Sequence, residues 1–223
     1  MKTSLELYFT YLKNPVYLRN EKIDWLVFIK LFITVFFLSI LLNSVPTILA
    51  HFLHLQGMPH YFKGKSQPKI WEAIFLIPIL EETLFRFLLK PTRKNIIYYV
   101  IILSFPLVIN LLKDKFLYAL IFVFLTLIPL ILLLKRSYLK KVQKYFLKHF
   151  ALFFYLSCLV FGLGHVTNFH PFSLTVLLLA PLLTLPQLFA GTVFGYIRMK
   201  YGIVYSVLFH FLINFPLLVS YLK

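Results

Sequence analysis

Long apolar runs dominate this chain and leave it few ways to fold. Residues 71–89 read WEAIFLIPILEETLFRFLL, and runs of similar length recur along most of the 223 residues. Lipid offers no partner to a backbone N–H or C=O, so a segment crossing a bilayer must be a helix or part of a closed barrel. A barrel would show strands of about ten residues with alternating polar positions, and no such alternation occurs. The expected fold is therefore all-α, a polytopic membrane helix bundle. Seven spans, with eight as the alternative, are expected over about 26–50, 71–89, 95–112, 116–134, 150–166, 173–196 and 202–221. Each has the length of about 17–25 residues that a bilayer-crossing helix needs.

Hydrophobic residues make up 61% of the chain and charged residues 13%, against roughly 45–50% and 25% in soluble domains. The spans use up nearly the whole length. One membrane domain is expected over 25–223, preceded by a cytoplasmic or interfacial tail over 1–24. Leu5, Tyr8, Phe9 and Leu12 form an apolar stripe in the tail, which suits either a helix on the membrane surface or a loosely packed end. No cleavable signal peptide is expected, because the first apolar run begins at Trp25 and is too long for one. The single cysteine, Cys158, has no intrachain disulfide partner.

The formal net charge is +16. In a soluble protein this would suggest nucleic acid. Here the cations lie between the spans, as in Lys-rich flanks beside anionic lipid, and no nucleic acid partner is expected. The segments before span one and after spans two, four and six carry fifteen Lys and Arg, and the other connections carry six. The positive-inside rule then places the N-terminus in the cytoplasm.

Against this background Glu81, Glu82 and Arg86 stand out in the middle of span two, and the chain has only seven acidic residues in all. A charge at the centre of a bilayer costs roughly 2.5–3.5 kcal/mol on insertion scales, so three would cost about 8–10 kcal/mol if simply added. They need partners within the protein, and an intramembrane ionisable cluster marks a functional site by default. Span five ends FGLGH, with Phe161 and His165 at i and i+4. Span seven holds HFLIN, with His210 and Asn214 at the same spacing. Each pair shares one helical face, and a bundle can bring such faces together.

A carboxylate can take a proton from water and make it a nucleophile, and an imidazole can orient that water. A second imidazole and an amide can donate to a developing oxyanion. Such a set suffices to hydrolyse an amide bond. Serine-type catalysis is not expected, since there is no GxSxG and no Ser or Thr stands out beside the histidines. Zinc is the chemical rival: Glu81, His165 and His210 suit it in ligand type, although no HExxH is present. Packing histidines with a structural Glu82–Arg86 pair, a non-enzymatic membrane protein that binds a partner, and a proton relay are the other readings of these residues.

The motifs EETLFR (81–86), FGLGH (161–165) and HFLIN (210–214) have the forms EExxxR, FxxxH and HxxxN. In this order on separate membrane helices they resemble the CPBP family of CAAX prenyl proteases of type II and abortive-infection-like membrane proteases, some with immunity roles. The block GTVFGYIRMKYGIVYSVLFHFLIN (191–214) is similar to the family's last shared segment, and the resemblance covers roughly 71–214. It implies an intramembrane endopeptidase acting on a peptide or membrane-protein substrate within the lipid bilayer. By motif position Glu81 activates the water, His165 holds and polarises it, and His210 with Asn214 forms the oxyanion site. Glu82, Arg86 and Phe161 support them. The family is described as glutamate-dependent, which implies no cofactor, with zinc as the alternative. The Lys-, Ile- and Phe-rich composition looks like that of a member from a bacterial cell membrane.

Overall fold

The computed structural model describes residues 3–55, 71–99, 101–102 and 135–216. Among the described residues the fold is all-helical, with no β-strand. Two helices among the described residues are long and apolar enough to cross a membrane, Trp25–Phe52 and Phe150–Asn168, and a shorter apolar helix covers Ile203–Asn214. Of the span expected over 95–112 only residues 95–99 and 101–102 are described, and they are helical. The span expected over 116–134 and the end of span seven lie outside the described residues, as do the six cations of the less basic connections.

Helix α1, Ser4–Lys13, starts from a capping box in which Thr3 and Glu6 satisfy each other's backbone N–H. Of its apolar stripe, Tyr8 is fully buried, while Phe9 is half exposed. Tyr8 pairs through its hydroxyl with Thr192, and Tyr155 donates to the carbonyl of Leu12. The stripe thus meets protein, and α1 is a docked part of the bundle. Helix α2, Trp25–Phe52, is capped by Asp24, whose carboxylate accepts from the N–H of Val27 at 3.1 Å. Its outward face exposes Leu26, Ile29, Ile33, Phe37 and Ile40, as a lipid-facing surface does.

Span two is helical but changes pitch twice. A π turn over Glu72–Leu76 leads into α3, Ile77–Arg86, and then a 3₁₀ turn over Phe87–Leu89. Helix α4, Arg136–Lys148, breaks at His149 and is followed by α5, Phe150–Gly164, which ends in a 3₁₀ turn over His165–Asn168. The expected sixth span is not one helix. It is divided into α6, Leu174–Leu178, α7, Ala180–Leu183, and α8, Leu185–Lys200. The breaks precede Pro181 and Pro186, each in the first turn of the helix that follows. Proline lacks the N–H that would continue the preceding ladder and is tolerated at a helix start. Helix α9, Ile203–Asn214, follows after Gly202, whose φ of +109° allows the tight reversal.

Helix α8 is the axis of the bundle and packs against α1, α2, α5 and α9. In lipid, helices associate by close packing rather than by the hydrophobic effect, so small residues at contacts matter. A Cβ on Gly162 would sit 2.7 Å from the Leu188 Cα, and one on Gly195 would sit 2.7 Å from the Phe154 ring. Both glycines therefore set how near α5 approaches α8. Phe28, Phe154, Phe194 and Phe209 fill the interior around this axis.

The basic end of the bundle is closed by the strand of chain between α1 and α2. Lys90 is buried there, donating to the side chain of Asn20 and to the carbonyl of Met199 at 3.2 Å. The N–H of Glu21 donates to Lys200 at 2.8 Å. Burial, with Arg198 nearby, pushes the Lys90 ammonium down to about 8 from 10.5. Between these values the unfolded chain holds a proton that the folded chain has released, so stability rises with pH in that window. Above pH 10.0 burial of the Tyr8 and Tyr11 phenols opposes this, since it holds them protonated while the unfolded chain ionises. The thermal midpoint should therefore rise between about pH 8 and 10, and Lys90→Met should abolish the rise. A Lys90→Met protein with the same upward slope would contradict this account.

Candidate active site

Three elements meet at mid-bundle. Helix α3 brings Glu81, Glu82 and Arg86, the end of α5 brings Phe161 and His165, and α9 brings His210. Consecutive residues on an α-helix point about 100° apart, so the two glutamates enter different surroundings. The Glu82 side chain is 0% exposed and that of Glu81 is 23% exposed.

Glu82 is held on every side. Its Oε1 lies 3.4 Å from Arg86 Nη1 and 3.2 Å from His210 Nδ1, and Ser206 donates to its Oε2. Ser206 Oγ also lies 2.9 Å from the carbonyl of Phe194, so its single hydroxyl hydrogen has a second acceptor, on the axial helix, within reach. Arg86 is fully buried, and its Nε and Nη1 make no aligned hydrogen bond. It is compensated by the Glu82 charge, by a bond from Nη2 to the carbonyl of Gly191 at 3.4 Å, and by the Phe161 ring, 3.8 Å from the guanidinium carbon. A cation over an aromatic face is worth roughly 0.5–2 kcal/mol, more when desolvated. The carbonyl of Arg86 in turn accepts from Arg198 Nε at 3.2 Å.

Glu81 faces the two histidines. Its Oε1 is 3.7 Å from His165 Nε2 and its Oε2 is 3.6 Å from His210 Nε2. The other nitrogen of each ring is already engaged. His165 Nδ1 is 2.9 Å from the carbonyl of Phe161, which can only accept, so that nitrogen carries the proton. His210 Nδ1 faces the Glu82 carboxylate, which likewise accepts. The His210 ring is stacked on Phe194, with centroids 4.3 Å apart, and meets the edge of Phe161. Asn214, one turn beyond His210, is not gathered into this cluster. Its Nδ2 donates at 3.5 Å to the carbonyl of Ala73, in the π turn.

Three contributors lay outside the sequence motifs. Ser206 is one turn before His210, so Ser206, His210 and Asn214 share one face of α9. The expectation that no Ser stands beside the histidines is thus corrected, although Ser206 bonds Glu82 rather than an imidazole. Its i, i+4 spacing to His210 was the available signal. Phe194 and the carbonyl of Ala73 carried none, because a stacking ring and a backbone acceptor are specified only by the fold.

Zinc would find suitable donor types in Glu81, His165 and His210. Among the described residues, however, no three His, Cys, Asp or Glu side chains are gathered in an arrangement that would hold an ion.

Residues 66–216, more than half of the chain, match the family model described as type II CAAX prenyl endopeptidase, Rce1-like. No curated protein and no solved structure matches the chain.

The unequal environments of the two glutamates predict unequal effects on folding. Glu82→Gln leaves the buried Arg86 without a counter-charge, and breaking such a pair costs about 3–5 kcal/mol. Glu81→Gln, at a partly exposed position, should shift stability by roughly 1 kcal/mol or less. Thermal exposure of the buried Cys158 thiol to a maleimide would measure both. Equal midpoints for the two variants would refute the division.

Proposed function

Because the chain belongs to the type II CAAX prenyl endopeptidase Rce1-like family, we propose that it hydrolyses a peptide bond of a membrane-associated protein or peptide with water activated by Glu81. The family makes it a membrane-embedded protease with a peptide or protein substrate. The mechanism and the residue roles are our reading of the geometry.

The observation that carries it is that both imidazole Nε2 atoms face the one partly exposed carboxylate, at 3.7 and 3.6 Å, while both Nδ1 atoms are tied to acceptors. With Nδ1–H donating to Phe161, His165 offers a lone pair at Nε2. A water can donate one hydrogen to Glu81 and the other to His165, which leaves an oxygen lone pair free for a carbonyl carbon. Glu81 takes the proton as the bond to carbon forms, and a group so placed contributes typically 10²–10⁴-fold. It then delivers that proton to the departing amine.

The oxyanion needs donors. His210 keeps Nδ1–H on Glu82, so donation from Nε2 requires the imidazolium form, in which each N–H has a carboxylate oxygen to face. In that form the charges of Glu81, Glu82, Arg86 and His210 sum to zero. Buried charge is tolerated in a low-dielectric interior when it is paired in this way. Asn214 supplies the second donor by leaving Ala73, whose bond to it is long at 3.5 Å. This divides the histidines: His165 accepts from the water and His210 donates to the oxyanion. Glu82 and Ser206 hold His210 and do not touch substrate.

Glu81→Gln should lower cleavage by about 10²–10⁴-fold, and Asn214→Ala by about 10²–10³-fold. The assay is cleavage in cells, with substrates captured by the Glu81→Gln protein and identified by mass spectrometry. Full activity in Glu81→Gln, His165→Ala and Asn214→Ala together would remove the proposal. The same variants would leave a purely partner-binding protein unaffected.

Metal-free activation is tested separately. Purified active protein should carry zinc far below one ion per chain and keep its activity in chelator. Stoichiometric zinc, with activity lost on chelation and restored by the ion, would transfer the water to a metal held by Glu81, His165 and His210.

A further inference from the structure

Helix α4 has three faces, and the proteolytic site uses none of them. Leu139, Gln143 and Phe146, at i, i+4 and i+7, turn inward. Phe146 stacks on Phe153 with centroids 4.6 Å apart, and Gln143 donates to the carbonyl of Pro91 at 2.8 Å. A second stripe at the same spacing, Tyr138, Val142 and Tyr145, is exposed, Tyr145 by 60%. The remaining face carries Lys140, Lys141, Lys144 and Lys148, all exposed, with exposed Leu147 along its inner edge. The helix has no acidic residue. It therefore docks by one face, presents apolar and tyrosine surface by another, and presents by the third a positive charge that no acidic side chain meets among the described residues.

A helix with one polar cationic face and one apolar face lies in the plane of a membrane interface. Tyrosine is enriched at that level because its ring is apolar and its hydroxyl is wet. Each Lys near an anionic leaflet contributes about 1 kcal/mol. The position of α4 agrees, since it turns into the membrane-spanning α5 after the single residue His149, and it is tied by Gln143 to the basic connection that follows span two. An acidic protein or a nucleic acid would match the lysines but not the tyrosine and valine stripe beside them. We propose that α4 is a binding surface for anionic phospholipid headgroups, with the four lysines on the phosphates and Tyr138, Val142 and Tyr145 at the acyl boundary. Bound lipid would fix the start of α5, the helix that carries Phe161 and His165. The surface is separate from Glu81 and does not depend on the reaction proposed there.

The test uses the full chain in mixed micelles. Phosphatidylglycerol or phosphatidylcholine is titrated in, and thermal exposure of the Cys158 thiol is the readout. Phosphatidylglycerol should raise the midpoint saturably and phosphatidylcholine should not, and the difference should shrink with salt. At roughly fivefold per lysine, replacing all four by Gln should weaken apparent phosphatidylglycerol affinity by roughly 600-fold. The exposed residues of the neighbouring connections supply the control: Lys22→Gln/Arg93→Gln/Lys94→Gln should retain most of the response. Tyr138→Ser/Val142→Ser, which spares the Tyr145 ring packed on His149 and Phe153, should weaken the lipid response while leaving the lipid-free midpoint little changed. Inorganic phosphate at equal concentration should have no effect. An equal response to both lipids, an undiminished response in the fourfold Gln protein, or a matching response to inorganic phosphate would overturn the proposal.

Discussion

The Glu82–Arg86 pair is the interaction on which the rest of this structure depends. Both side chains are fully buried, one turn apart on α3, at a depth where neither could be solvated. An isolated charge there costs several kcal/mol after relaxation. The pair becomes tolerable only because every neighbouring helix contributes to it. Helix α5 lays Phe161 across the guanidinium, α8 offers the carbonyl of Gly191, and α9 supplies Ser206 and His210. These polar contacts also fix register. Sliding any one helix by a turn would strand a charge, whereas lipid-exposed Leu and Phe would accept the slide. The pair thereby selects one packing of α3, α5, α8 and α9 among many of similar apolar contact.

The close approach that this network requires is set by small residues. Gly191 exposes its carbonyl to both Arg86 and Cys158, and a Cβ there would press on Phe161 at 3.0 Å. Gly162 and Gly195 bring α5 and α8 together on either side of it. Polar pairing and backbone proximity are therefore one constraint. The carbonyl of Gly191 is within reach of Arg86 only because no side chain intervenes.

What was legible in the sequence follows the same logic. Glu81, Glu82, Arg86, His165 and His210 could be picked out because ionisable groups are rare at membrane depth, and Phe161 because it lies at i, i+4 from His165 on one face. Ser206 escaped notice because a serine in an apolar helix satisfies itself on its own backbone and leaves no cost to explain. The docking of α1 was equally hidden, since an apolar stripe looks the same whether it meets lipid or protein. Pro181 and Pro186 were visible as disturbances of the sixth span, yet the sequence does not choose between a kink and a full break; at the breaks the N–H of Leu179 and of Thr184 turn back onto the carbonyls of Leu177 and Leu182. Asn214 was placed on the right face, but its contact with Ala73 depends on the π turn, which no local residue preference announces.

The adjacency of the two glutamates acquires a physical meaning from the helix itself. Neighbouring residues diverge by about 100°, so a cation four residues on can meet only one of them at close range. Arg86 is at i+4 from Glu82 and i+5 from Glu81, and the ion pair forms with Glu82. Glu81 instead faces the two Nε2 atoms. In the mechanism proposed above this leaves Glu81 to take the proton from water, while the neighbouring guanidinium favours the charged form of Glu82 and makes it the weaker base. Moving the arginine one residue earlier, to position 85, would bring it to i+4 from Glu81. The surroundings of two identical neighbouring side chains are thus separated by where the arginine falls in the next turn.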